Sequence, residues 1–133
     1  LEIDQGAIVG DAVHRVADDA QRHRHLRAAG GNWGKVAGMI VEPAMMNAGF
    51  VLPEDGYLAG VKERLHAEGA LLIFDEVKTG ATIAYGGAVE RFGVTPDLLC
   101  LAKSVGGGLP CGAIGGTDEV MDWIASGNWP NWK

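Results

Sequence analysis

The sequence of 133 residues lacks the features that mark several specialised protein classes. Its two cysteines, Cys100 and Cys111, have no CxxC spacing and no nearby His pair, so we expect neither a disulfide scaffold nor a metal site. No apolar run approaches membrane-spanning length, and no signal peptide is visible. The net charge of −6 argues against a nucleic-acid surface. These absences indicate a cytoplasmic globular protein that binds neither membrane nor nucleic acid.

The sequence does have a hydrophobic fraction of 47% and 21 glycines. The hydrophobic fraction predicts a folded core of the size that one domain needs. The glycines concentrate after apolar runs, where α/β folds place tight turns and ligand loops. The chain begins without Met and stops without an obvious terminal element, so we interpret it as a segment of a longer protein.

Apolar runs and helical periodicities follow one another along the chain. Near-continuous apolar runs predict strands over 36–41, 70–74, 98–102 and 111–115. Helical patterns predict helices over 8–28, 56–68, 88–92 and 118–125. Such strands, alternating with helices, are typical of an α/β fold with a mostly parallel sheet covered by helices. The last two strands are joined too tightly for a helical crossover, so we expect one of them to pair antiparallel.

Two charged side chains end successive strands of this predicted sheet. Asp75 follows the run at 71–74, and Lys103 follows the run at 98–102, directly before a glycine cluster. Because open α/β sheets bind ligands beyond the carboxyl ends of their strands, Asp75 and Lys103 should emerge close together there. A carboxylate and an amine in that place suit pyridoxal phosphate, with Lys103 as a Schiff base and Asp75 on the pyridine nitrogen.

Each of these residues also has a plainer interpretation. A lysine after an apolar run is commonly a solvated strand end, and the pair Asp75-Glu76 could be a helix cap or a surface turn. An acidic pair after apolar residues also resembles a nucleotide-hydrolase strand, but the GxxxxGK[ST] loop and the GxGxxG fingerprint are both missing. A non-catalytic α/β binding module therefore stays open beside the enzyme, although a decayed site should have lost Lys103 or Asp75.

Several motifs between about residues 36 and 121 resemble one known family in their order and spacing. They are VEP at 41–43, NAG at 47–49, IFDEVKTG at 73–80, YGGA at 85–88, FGVTPD at 92–97, KSVGGGLP at 103–110 and GAIGG at 112–116. Together they resemble class III pyridoxal-phosphate aminotransferases, most closely glutamate-1-semialdehyde 2,1-aminomutase and its relatives. The resemblance implies the large domain of a fold-type I enzyme, a homodimeric transaminase or aminomutase that takes small amino donors and acceptors.

The resemblance also assigns roles around the cofactor to five residues. Lys103 would be the Schiff-base lysine and proton shuttle, and Asp75 would bind the pyridine nitrogen. Val77 would stack on the ring, from the side of the strand that Asp75 faces if the strand continues that far. Asn47 would reach the phenolic oxygen of the cofactor, and Glu42 would be a nearby structural or active-site acid.

The sequence departs from the aminomutase pattern in the segment after Asp75. Where F-R usually follows Thr79-Gly80, this chain has Ala81-Thr82, and Lys78 stands where these enzymes often carry Met or Gln. An ω- or β-amino acid aminotransferase is therefore an alternative to the aminomutase.

The resemblance further implies that parts of the site lie outside these 133 residues. The phosphate-binding segment of the family would lie upstream of Leu1, and a phosphate-binding threonine and the small C-terminal domain would lie beyond Lys133. The 133 residues would then be part of the cofactor-binding large domain. We expect them to bind the cofactor weakly and to show no turnover by themselves.

Overall fold

The computed structural model describes residues 36–125, with side chains up to residue 122. The helix predicted over 8–28 lies outside this range. In chain order the elements are β1 (Gly38–Val41), α1 (Tyr57–Ala67), β2 (Leu71–Asp75), α2 (Gly87–Phe92), β3 (Leu98–Leu101), a 3₁₀ turn (Lys103–Gly106), β4 (Ala113–Gly116) and α3 (Asp118–Ala125). Every strand and helix predicted within 36–125 is present, with ends shifted by two residues at most. None of the helices in this range is long and apolar enough to cross a membrane.

The four strands form one sheet in the order β1-β2-β3-β4. β1 and β3 each pair parallel with β2, and β4 pairs antiparallel with β3. The expected antiparallel strand is therefore confirmed as β4. The connection from β3 to β4 is only the 3₁₀ turn and a short loop, too short to return the chain for a parallel pairing.

The core lies between one face of the sheet and helix α1. Alternate residues of β2, Leu72 and Phe74, are fully buried, and the helical spacing of Leu58, Val61 and Leu65 turns the inner face of α1 toward them. Burial of each such side chain stabilises the fold by roughly 1.5–3 kcal/mol.

Asp97, directly before β3, joins three elements of the sheet and of α1. Its N–H donates to the carbonyl of Leu72 (2.9 Å), and its Oδ2 accepts from the Leu72 N–H (2.7 Å). The carboxylate also contacts Nε2 of His66 in α1 (2.9 Å). The main-chain carbonyl of Asp97 accepts a hydrogen bond from the N–H of Thr117 after β4 (3.0 Å). Asp97 is 6% exposed. It therefore fixes where β3 begins.

The pKa of Asp97 reflects this setting. Burial alone would raise the pKa, but it is outweighed by the hydrogen bonds from His66 and from the Leu72 N–H. The positive charges of His66 and Lys62 act in the same direction as these bonds, and the pKa of Asp97 lies below its ordinary value of 3.8.

We expect Asp97→Asn to lower the free energy of unfolding by roughly 1–3 kcal/mol at pH 7, because a buried charge-assisted hydrogen-bond set is lost. Folding lowers the pKa of Asp97, so its stabilisation is fully present above the unfolded pKa and is lost as the pH falls through the folded pKa. The difference from wild type should therefore shrink below about pH 4. Urea denaturation at several pH values measures it.

The matched control for this measurement is Asp55→Asn. Asp55 is exposed in the loop before α1, so its substitution should change stability by less than about 0.5 kcal/mol. Equal effects of the two substitutions at pH 7 would show that Asp97 does not hold the sheet and α1 together.

Candidate functional site

Charged side chains follow the carboxyl ends of the three parallel strands. Val41 is in register with Phe74, so Glu42 comes beside Asp75, and Asp75 is itself in register with Cys100. Neighbouring strands lie about 4.8 Å apart. Lys103 begins the 3₁₀ turn three residues after Cys100. The structure thus brings Glu42, Asp75 and Lys103 to one edge of the sheet, as the sequence predicted.

Asp75 is the last residue of β2 and is partly buried. It alternates with Leu72 and Phe74, so it lies on the face of the sheet opposite the core with α1. Its Oδ1 accepts a hydrogen bond from the N–H of Val77 (3.1 Å). No residue in the range 36–125 donates a hydrogen bond to Oδ2. One carboxylate oxygen thus remains open to a donor outside the described residues.

Val77 does not continue the strand. β2 ends at Asp75, and the N–H of Gly80 donates to the carbonyl of Glu76 (2.8 Å), so Val77 lies in a turn. The condition under which Val77 would share the strand face of Asp75 is therefore not met. Its backbone instead holds Oδ1 of Asp75, and the stacking role remains a prediction.

Lys103 is exposed and has a left-handed backbone, with φ 48°. No described residue forms an ion pair or a hydrogen bond with its ammonium group. Among residues 36–125, positive φ also occurs at two other non-glycine residues, Phe50 and Ala81. Each of the three lies in the segment that follows β1, β2 or β3 at this same edge. Such backbone strain clusters at ligand sites, because the surrounding structure must hold it in place.

The segment after β1 brings Asn47 to this edge and holds it there. Two backbone hydrogen bonds between Met45 and Val51 (2.9 and 3.1 Å) close the loop. Glu42 Oε2 accepts the N–H of Met46 (3.1 Å), so the observed contact of Glu42 supports the loop. Asn47 is exposed at the tip, where its Oδ1 accepts a hydrogen bond from Lys78 Nζ (2.8 Å). Lys78 thereby joins the segments after β1 and β2.

Glu76 is a buried carboxylate that the sequence reasoning missed. It is 2% exposed, and its Oε2 accepts from the N–H of Ala88 (2.6 Å) and from the hydroxyl of Thr79 (3.3 Å). Gly87 contacts the same oxygen closely, with φ 64°, so a side chain there would collide with it. The alternation of β2 contained the signal, because Glu76 continues the buried series of Leu72 and Phe74.

Thr82, one of the departures from the aminomutase pattern, also has a partner. Its hydroxyl lies 2.8 Å from the hydroxyl of Ser104, the residue after Lys103. This bond links the segment after β2 to the turn that carries the lysine. Thr82 therefore contributes to the placement of the turn that begins at Lys103.

The residues at this edge fit the cofactor that the motifs predict. A carboxylate with an open oxygen suits a pyridinium N–H, and an unpaired amine suits an aldehyde. Within 36–125 no three His, Cys, Asp or Glu side chains are grouped to hold a metal ion.

Comparison with known proteins gives a consistent result. The sequence profile of the family "Aminotransferase class-III" matches residues 10–131. An omega-transaminase from Sphaerobacter thermophilus is 37% identical over 74% of this chain, with a TM-score of 0.68. A thermostable (S)-enantioselective omega-transaminase from Thermomicrobium roseum is 31% identical over 82%, with a TM-score of 0.72. A beta-phenylalanine aminotransferase from Variovorax paradoxus is 36% identical over 77%, with a TM-score of 0.66.

The chain spans only part of these solved proteins, between 22% and 25% of their lengths. The similarity therefore concerns one portion of a larger fold, the portion that contains the sheet edge described above.

We expect Glu76→Ala to destabilise the fold by roughly 2–4 kcal/mol, because it leaves the buried N–H of Ala88 unpaired and opens a cavity. Glu90→Ala is the matched control. Glu90 Oε2 also accepts a short backbone hydrogen bond, from the N–H of Gly86 (2.6 Å), but Glu90 is exposed and water can replace it. Its substitution should have an effect below about 1 kcal/mol. Thermal and urea unfolding of both variants, read against wild type, test the difference. Two equally mild effects would contradict the supporting role of Glu76.

Proposed function

The chain belongs to the class III aminotransferase family, and from this premise we propose that it is part of the large domain of a transaminase. The family depends on pyridoxal 5'-phosphate. When bound, this cofactor supplies an aldehyde that exchanges amines and a ring that draws electrons from the α-carbon of the substrate. The observation that carries the proposal is the register of β2 and β3, which brings Asp75 and the unpaired amine of Lys103 to one edge.

In this proposal Lys103 Nζ holds the cofactor and, once released, moves a proton at the substrate carbon. Its exposed position and the absence of a partner among residues 36–125 support that freedom. Asp75 Oδ2 holds the proton of the pyridine nitrogen, while the N–H of Val77 fixes Oδ1. Val77 packs on the ring, and Asn47 donates to the phenolic oxygen. Glu42 supports the loop that carries Asn47.

For the substrate we propose an ω- or β-amino acid donor and a keto-acid or aldehyde acceptor. This proposal is supported by the similar solved structures, which include two omega-transaminases and a beta-phenylalanine aminotransferase. A 2,1-aminomutase acting on glutamate 1-semialdehyde is the second candidate, favoured by Asn47 in the aminomutase position. An aminomutase isomerises its substrate without a second one, so dependence of turnover on an added acceptor separates the two. We further propose that the full-length protein acts in the cytoplasm as a homodimer.

The covalent role of Lys103 is tested by reducing the mixture of full-length protein and pyridoxal phosphate with borohydride. We expect the cofactor on the peptide that contains Lys103, and no label in Lys103→Ala. Lys62→Ala should label like wild type, because Lys62 Nζ donates to the carbonyl of Thr95 (2.8 Å) before β3, at the end of that strand opposite to Lys103. A full-length protein without label would favour the non-catalytic binding module. The 133 residues alone should label weakly.

Asp75→Asn should keep the label on Lys103 but slow amine transfer by roughly 10²-fold or more, because a neutral amide holds the pyridine proton less well than a carboxylate. Single-turnover absorbance changes with an amino donor measure the rate. Asp55→Asn is the control with the same chemical change on the surface. A loss of only a few-fold in Asp75→Asn would remove Asp75 from the proposed role.

A further inference from the structure

Lys78 occupies a position that the resemblance does not explain. It lies next to Val77 in the turn between Glu76 and Gly80, and its Nζ donates a hydrogen bond to Asn47 Oδ1 (2.8 Å). The contact joins residues 31 positions apart, so it depends on the fold and not on local sequence. The question is what this lysine does for Asn47.

A lysine ammonium can only donate hydrogen bonds, so it fixes which way the Asn47 amide points. Oδ1 faces Lys78, and Nδ2 with its two hydrogens faces the other way. No described residue accepts a hydrogen bond from Nδ2. Asn47 Nδ2 is thus a hydrogen-bond donor of fixed orientation at the sheet edge, and the ammonium group of Lys78 lies on the other side of the same amide.

The charge of Lys78 is not neutralised by the carboxylates that follow the strands. The charged side chains nearest the carboxyl ends of β1, β2 and β3 in sequence are Glu42, Asp75, Lys78 and Lys103, with Glu76 buried. Glu54 and Asp55 come later in the segment after β1. Glu42 and Asp75 accept backbone hydrogen bonds, and no carboxylate of residues 36–125 forms an ion pair with Lys78. An amide donor backed by a cation suits an anionic oxygen.

We propose that Lys78 is a positioning residue that orients Asn47 as a donor toward the phenolic oxygen of the cofactor. The inference rests on the proposed function and extends it to a residue outside the family pattern. The phenolic oxygen would share a proton with the nitrogen of Lys103 that holds the cofactor. A hydrogen-bond donor and a positive charge near this oxygen stabilise its anionic form, and so they make that proton easier to lose. Lys78 therefore lowers the pH at which the visible absorption of the bound cofactor changes.

The test is a pH titration of the visible absorption of the full-length protein loaded with pyridoxal phosphate. Lys78→Met removes the donor that orients Asn47, and should raise the midpoint by roughly half a unit to one unit, the scale of one lost hydrogen bond at the cofactor oxygen. Lys78→Gln keeps a donor for Asn47 without the charge, and should shift the midpoint by less. Lys62→Met removes a lysine charge on α1, and should leave the midpoint unchanged.

A fourth comparison separates orientation from simple charge. If Lys78 acts through Asn47, Lys78→Met should shift the midpoint much less in an Asn47→Ala background than in wild type. An equal shift in both backgrounds would overturn the positioning role. An unchanged midpoint in Lys78→Met would overturn the inference while the proposed function stands. A wild-type protein with no cofactor band would overturn both.

Discussion

The two-way hydrogen bonding between Asp97 and Leu72 sets the register on which the site depends. The N–H of Asp97 donates to Leu72, and the N–H of Leu72 donates back to the Asp97 carboxylate. β3 starts at the next residue, so this exchange decides which residues of β2 and β3 lie opposite each other. A slip by one residue would turn the other face of β3 toward the core and would displace Lys103 relative to Asp75. A residue outside the site therefore controls its geometry.

A second constraint acts at the end of β2, where the adjacent carboxylates of Asp75 and Glu76 have different roles. The strand alternation sends Asp75 to one face and Glu76 to the other. Asp75 keeps an oxygen open at the sheet edge, while Glu76 is buried and holds the start of α2 through the N–H of Ala88. Both effects come from one strand and one sequence pair. The different environments of the two side chains therefore follow from the face that each occupies.

The sequence predicted most of the fold because its signals are local. The apolar runs of β1 to β3 and the spacing of Leu58, Val61 and Leu65 need no knowledge of distant residues. The meeting of Asp75 and Lys103 followed from parallel strands sharing one edge, and the antiparallel β4 followed from its short connection. The roles proposed for these residues rest on their position and on their free hydrogen-bonding groups.

Two contacts that could not be predicted depend on how loops fold back across the sheet edge. The hydrogen bond of Lys78 to Asn47 joins the segment after β2 to the segment after β1, across 31 positions, and that of Thr82 to Ser104 joins the segment after β2 to the lysine turn, across 22 positions. No periodic pattern in the sequence indicates either bond. The left-handed backbone at Ala81, between Lys78 and Thr82, also cannot be predicted from the amino-acid composition. Yet these are the positions where the chain departs from the aminomutase pattern. The departures Lys78 and Thr82 each contact another segment of the edge, so they act as pairs with Asn47 and Ser104. Differences in chemistry between relatives of this fold should therefore be sought in pairs of loop residues, since the parallel pairing of β2 and β3 already fixes where Asp75 and the turn of Lys103 lie.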